Sequence, residues 1–238
     1  MSGEENFSAE LARLNAQEFT TRTERFGRVT RVVGLTVEAT GIAAEIGAQC
    51  VIETNYGGAA IEAEVVGFDG KHLYLMPIHY LEGIRAGSLV RFKQAQSLCG
   101  VGEKMLGRVI NGLGEPIDGK GPIAYDAEVA LDAKAINPME RGEVKDVLDT
   151  GIKAINGCLT FGKGQRMGLI AGSGVGKSVL MGMLTRNTAA DVVVIGLIGE
   201  RGREVQEFVQ KTLGEAGLAR AVVIAAPVDV SPVMRIKA

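Results

Sequence analysis

The chain has 238 residues, 46% of them hydrophobic and 23% charged, with a formal net charge of −2. That composition fits a globular protein of one or two domains and excludes a disordered chain, which lacks the apolar surface to offset ordering entropy. The near-neutral balance gives no support to a nucleic-acid partner held by its phosphates, no uncharged run is long enough to span a bilayer, and the acidic start Ser2-Gly3-Glu4-Glu5 is unlike a secretory signal.

Residues 7–25 are polar, with Phe7, Leu11, Leu14 and Phe19 near helical spacing. This predicts a modest amphipathic helix, either packed on its own domain or docking a partner. From Arg28 to about Phe92 the period changes to two. Val37 and Ala39 alternate with Thr36 and Glu38, Cys50 and Ile52 with Val51 and Glu53, and Ile61, Ala63 and Val65 with Glu62 and Glu64. Tyr56-Gly57-Gly58, Phe68-Asp69-Gly70 and Glu82-Gly83 punctuate the runs. Asp-Gly between two strand patterns is a hairpin signal. Five or six short strands over 26–93 predict a small barrel or sandwich. It shows no metal or catalytic constellation. His72 and His79 have no partner at ligand spacing, and Cys50, Cys99 and Cys158 form no CxxC pair. The thiols read as reduced and cytosolic.

Residues 94–150 are turn-rich, above all Asn111 to Gly119, and Pro138 breaks any helix there. They read as a connector packed on the next domain. From Gly151 the pattern changes again. Met167–Ala171 is expected to be a short apolar strand, Gly172–Gly176 a loop and Lys177–Asn187 a helix. Asp191–Ile198 is a buried parallel strand by its continuous apolar run, Arg203–Leu213 a helix closed by Gly214 and Gly217, and Val222–Ala226 a further strand. This order predicts an α/β P-loop core with a parallel sheet and right-handed crossovers, preceded by the β domain.

The chemistry concentrates in Ala171-Gly172-Ser173-Gly174-Val175-Gly176-Lys177-Ser178. This fits the nucleoside-triphosphate P-loop, with Ala171 in the place of the first glycine. Gly172, Gly174 and Gly176 let backbone N–H groups of the loop, through Ser173 and Val175, turn toward phosphate oxygens. The next helix aims its positive end at that charge. Lys177 reaches the β and γ phosphates, and the Ser178 hydroxyl is a Mg²⁺ ligand. A second constellation, Gly199-Glu200-Arg201-Gly202-Arg203-Glu204, follows the Val192–Ile198 run. Functional groups of an open parallel sheet gather at the carboxyl ends of strands. Glu200 is thus either a water-polarising base or a charged turn capping the next helix. Asp229 stands three residues past the Val222–Ala226 run, too far for a Walker B aspartate, and reads as a turn or N-cap residue.

The run Gly164 to Ser178 and the run Gly196 to Glu204 resemble the flagellum-specific export ATPases. These are type III secretion ATPases and relatives of the rotary ATP synthase β subunit. The resemblance continues through Gly27–Gly34, Leu106–Val109 and Val147–Gly151. It implies a six-membered ring that hydrolyses ATP with Mg²⁺ at subunit interfaces and energises export of flagellar proteins. Lys177 and Ser178 match the family's nucleotide lysine and Mg²⁺ hydroxyl, Glu200 its catalytic glutamate and Arg201 the arginine beside it. The resemblance also implies a stalk-like regulator at the N-terminal segment, an export gate with its exported subunits as partners, no nucleic acid, and a cytoplasmic place at the inner membrane face. The family's Walker B strand, arginine finger and C-terminal domain have no counterpart up to Ala238, so the chain reads as a fragment that stops before Walker B. Alternatives are an injectisome ATPase, a non-hydrolysing ring subunit, a helicase of the termination-factor type, and a module that only binds nucleotide. Glu200 speaks against the second. Acidic residues on the β domain, Glu38, Glu53 and Glu62 among them, speak against the third.

Overall fold

Alternating side chains send every second residue of a strand to one face, so the runs of period two can bury one face by curling around it. The computed structural model describes residues 26–54, 60–79, 81–131, 135–172 and 174–238. The helix expected over 7–25, the Tyr56-Gly57-Gly58 turn and Ser173 lie outside the described residues. Six strands form the first unit: β1 (Phe26–Val33), β2 (Thr36–Thr40), β3 (Gln49–Ile52), β4 (Ile61–Asp69), β5 (His72–Pro77) and β6 (Leu89–Gln94). They close into a barrel in the order β1-β2-β5-β4-β3-β6. Closure removes the free edges that an open sheet would expose.

The expected hairpin is there. Asp69 pairs with His72, which leaves Gly70-Lys71 as a two-residue loop, and Gly70 has φ 56°. Primed hairpin turns need that positive φ. Register shifts between Val29 and Arg31 and between Val65 and Gly67 bend the strands toward closure. Val37, Ala39, Cys50, Ile52, Ala63, Val65, Leu75 and Val90 point inward with no measurable exposure. Burial pushes the Cys50 thiol up to about 11, so it serves as a small apolar side chain. The acidic outer face is charge-paired. Glu38 accepts from Arg31 at 3.0 Å and from His72 Nδ1 at 2.9 Å, Glu53 pairs with Arg91, and Glu62 with Lys93.

Residues 94–150 supply β7 (Leu98–Val101), β8 (Val109–Ile110) and β9 (Ala127–Ala130). β7 and β9 make an antiparallel ribbon, while β8 joins a parallel sheet with β10 (Val193–Ile198) and β11 (Ala221–Ala226) in the order β10-β11-β8. Arg108 and Asp118 pin β8. The Arg108 guanidinium donates to both carboxylate oxygens at 2.7 and 2.9 Å, and the Val109 and Lys120 N–H groups donate as well.

The helices are Lys153–Cys158, Lys177–Asn187, Gly202–Glu207, Gly214–Leu218 and Pro232–Lys237. Val205, Phe208 and Leu213 pack with Ile195, Leu197 and Val223 under one sheet face. The expected Arg203–Leu213 helix is differently built. It starts at Gly202, passes through a π-helical turn at Phe208–Leu213, and kinks at Gly214, whose φ is 64°.

One expected element is absent. Met167–Ala171 has no regular secondary structure, and Ile170 is 99% exposed. A strand is made by pairing, not by apolar content alone. Among the described residues nothing pairs with this segment, and the outer edge of β10 is likewise unpaired.

Candidate functional site

The loop from Ala171 to Ser178 precedes the helix Lys177–Asn187, whose bounds agree with those read from the sequence. Gly174 and Gly176 have φ of 77° and 96°, a region that L side chains rarely enter. A Cβ at Gly172, Gly174 or Gly176 would meet no protein atom within 4 Å. Packing inside the protein therefore does not require glycine at 172. Room beside the backbone does, as in a cradle for phosphates. Gly176 caps the helix without a side-chain hydrogen bond, so its first N–H groups remain available as donors. The helix dipole adds attraction for an anion there.

β10 delivers the second half of the site. Gly199 has φ 76° and ends the strand, which turns Glu200 toward the loop. Lys177 Nζ lies 3.9 Å from Glu200 Oε1, with the two side chains 43% and 40% exposed. Together with Gly172, Gly174 and Ser178 they line a cleft of about 570 Å³ at the carboxyl end of the sheet. At that exposure the pair contributes little to stability, about 0–1 kcal/mol. Its meaning is geometric: a cation and a carboxylate face one space. The donor set also fits Mg²⁺, a hard cation that takes a hydroxyl, phosphate oxygens and waters.

Arg201 stands apart. It caps the helix Gly202–Glu207, is 82% exposed on its side chain, and donates to Glu204 at 3.3 Å. Val175 is exposed and does not line the cleft. Asp229 lies in the turn after β11, and the N-cap of the next helix is Ser231. Another cavity, of about 580 Å³, lies elsewhere, between the β7-β9 ribbon and the sheet. Its apolar walls, Val129, Val194 and Ile224 among them, offer nothing to a phosphate.

Two supports of the site escaped the sequence reading. The carboxylate of Asp149 accepts from Gly151 N–H at 2.7 Å and from Asn156 Nδ2 at 2.6 Å, bonds that hold it below the usual carboxylate range. The Asp149 carbonyl accepts from Ala189 N–H at 2.9 Å and the Thr188 hydroxyl at 3.2 Å, which anchors the far end of the Lys177–Asn187 helix. On another face that helix meets the π-helical turn, where Arg186 donates to the Thr212 carbonyl and a Cβ on Gly182 would strike Thr212. The Val147-Leu148-Asp149-Thr150-Gly151 run carried the only signal for the first. Nothing local signals the second.

Comparison with known proteins gives a consistent picture. Residues 151–238 match the ATP synthase alpha/beta family, nucleotide-binding domain, and residues 29–94 match that family's beta-barrel domain. The chain is 50% identical over 214 residues to the flagellum-specific ATP synthase of Pseudomonas aeruginosa, covering 89% of this chain and 48% of that protein. Against the flagellum-specific ATP synthase of Salmonella typhimurium the identity is 49%, over 98% of this chain and 52% of that protein. The type 3 secretion system ATPase of Xanthomonas euvesicatoria is 44% identical, over 90% of this chain and 48% of that protein. Among solved structures, the assembled ATPase EscN with its central stalk EscO, from the enteropathogenic E. coli type III secretion system, superposes with a TM-score of 0.80. There the identity is 33%, over 89% of this chain and 51% of that one. The chain thus spans about half the length of the curated relatives it matches.

Proposed function

Because the chain belongs to the ATP synthase alpha/beta family, with flagellar and type III secretion ATPases as relatives, we propose that it is the barrel and P-loop portion of an export ATPase subunit. One observation carries the reading. Lys177, on the loop, and Glu200, at the end of β10, converge to 3.9 Å on a cleft that Ser178 shares. Lys177 and the loop N–H groups bind the β and γ phosphates of ATP. Ser178 holds Mg²⁺, which supplies charge neutralisation on the phosphates. Glu200 orients and polarises the attacking water. Arg201 completes the proposed set beside it, bonded to Glu204, which lines the cleft.

The ring, the stalk-like regulator, the export gate and flagellar cargo come to this chain from its relatives. So does a place at the cytoplasmic face of the membrane. No helix among the described residues is long and apolar enough to cross a bilayer. The flagellar reading is preferred over the injectisome one because identity to flagellar relatives reaches 50%, against 44% for the Xanthomonas secretion ATPase. A narrower reading, a module that binds nucleotide with negligible turnover, suits the 238 residues themselves. The unpaired 167–171 segment leaves the loop without a strand to brace it.

Binding and hydrolysis separate these roles. Lys177→Ala is expected to weaken Mg·ATP binding at least tenfold in a fluorescent-nucleotide titration, since it removes the phosphate cation. Glu200→Gln is expected to retain binding and, wherever turnover is measurable, to abolish it. Unchanged affinity in the lysine variant refutes the loop assignment. Hydrolysis surviving in the glutamine variant refutes the base. Turnover by this chain at a ring enzyme's rate refutes the narrower reading.

A further inference from the structure

The turn after β11 touches both the nucleotide cleft and the barrel. Past the paired strands, Gly199 N–H donates to the Ala226 carbonyl at 2.8 Å, and Val228 N–H donates to the Glu200 carbonyl at 3.0 Å. The backbone of Glu200 is thus held by this turn. The turn is itself closed by Val230 N–H donating to the Pro227 carbonyl at 3.2 Å. It leads into Ser231, whose hydroxyl does two things. It accepts from Met234 N–H at 3.2 Å, capping the helix Pro232–Lys237, and it donates to the Ile78 carbonyl at 2.6 Å. Ile78 belongs to the barrel rim, where its N–H donates to the Glu62 carbonyl at 2.8 Å. Around this junction Ile78, Val233 and Met234 are 1%, 5% and 4% exposed. The other end of the helix is tied too. Lys237 donates to Ser97 at 2.6 Å and pairs with Glu64 of the barrel.

We propose that Ser231 is a positioning residue, whose hydroxyl couples the turn holding the Glu200 backbone to the barrel rim at Ile78, so that nucleotide at the cleft is sensed by the barrel. The proposal rests on the nucleotide-site reading above. It gives the barrel a role in that site, although no barrel side chain lines the cleft. Only a side chain that donates and accepts at once can serve. Aspartate caps a helix as well as serine does, but a carboxylate only accepts, so it keeps the cap and loses the tether.

The experiment is amide hydrogen exchange on this chain with and without Mg·ATP, alongside nucleotide titration. In the native chain and in Ser231→Thr, nucleotide is expected to slow exchange at residues 76–79 about fivefold, the effect of one hydrogen bond's worth of coupling. Ser231→Asp is expected to bind ATP and keep Met234 protected, while residues 76–79 no longer respond. Ser231→Gly removes the hydroxyl, and with it the acceptor of Met234 N–H, at small cost to the helix and with no added charge; in it too residues 76–79 are expected not to respond. It stands in should the aspartate variant not fold. A rim that responds equally in both variants, or not at all in a native chain that binds ATP, overturns the proposal. A native chain that binds no ATP, or a Lys177→Ala chain that binds equally well, overturns the site reading and the proposal with it.

Discussion

Asp118 shows how much one buried carboxylate can carry. Its side chain is 7% exposed and that of Arg108 12%. Hydrogen bonding from Arg108 holds the carboxyl far below the usual range, with the Lys120 and Val109 N–H groups adding to it. The folded pKa lies below the unfolded one, so folding favours the charged form. That contribution is fully present above the unfolded value of ~3.9 and is lost progressively as pH falls from there through the depressed folded pKa. Urea midpoints are expected to fall between about pH 5 and pH 2, with a shallower slope in Asp118→Asn. At neutral pH this variant, leaving Arg108 without its charge partner, is expected to be less stable than the native chain. Equal slopes would show that Asp118 is not the titrating group. At the same scale, Lys177, Ser178 and the loop glycines were legible because they are consecutive. Glu200 was legible only as a strand-end carboxylate, a water-polarising base or a charge capping the next helix. Ser231 was not, because its partner Ile78 stands 153 positions away in the chain.

Among the elements, the Lys177–Asn187 helix is held at its far end by the Asp149–Asn156 knot. Asn156 Oδ1 accepts from Thr150 N–H at 3.1 Å and from its hydroxyl at 2.7 Å, while Nδ2 reaches Asp149. Asn156→Ala removes all three bonds and is expected to cost about 2 kcal/mol. It is also expected to speed exchange of the Thr188 and Ala189 amides. A stability change below ~0.5 kcal/mol in urea unfolding would remove the knot from the list of supports. The Arg203–Leu213 pattern read as one helix because apolar spacing does not distinguish an α from a π turn. The widened turn is set by packing: Thr212 faces Gly182 and Arg186 of a helix distant in sequence. Met167–Ala171 failed as a strand for the opposite reason. Its composition suits a strand buried on both faces, but the described chain supplies neither pairing partner nor cover.

At the scale of the whole molecule, that unmet demand leaves apolar surface in water. Ile170 is 99% exposed, and Val194 and Val192, in and next to the edge strand β10, are 66% and 50% exposed. Exposed apolar edges promote association. The chain is expected to show a sedimentation coefficient that rises with concentration over the micromolar to millimolar range, and Ile170→Lys with Val194→Lys is expected to flatten that rise. Concentration-independent behaviour of the native chain would contradict this.

The sequence by itself determined a small β unit of five or six strands, the order of most α/β elements and the glycine-rich loop before Lys177. Each rests on local rules: period two with Asp-Gly turns, a continuous apolar run, and consecutive glycines before Lys177. Part of the excess of 33 glycines over 6 prolines is local in origin too, in turns and loops that need positive φ. Only the tertiary structure decided that the acidic barrel face is charge-paired, that β8 from the turn-rich stretch enters the sheet, and that Ser231 reaches the barrel. It also decided that 167–171 forms no strand. These depend on which distant segments meet, and contact across space is settled by pairing and burial, which no single stretch of chain contains.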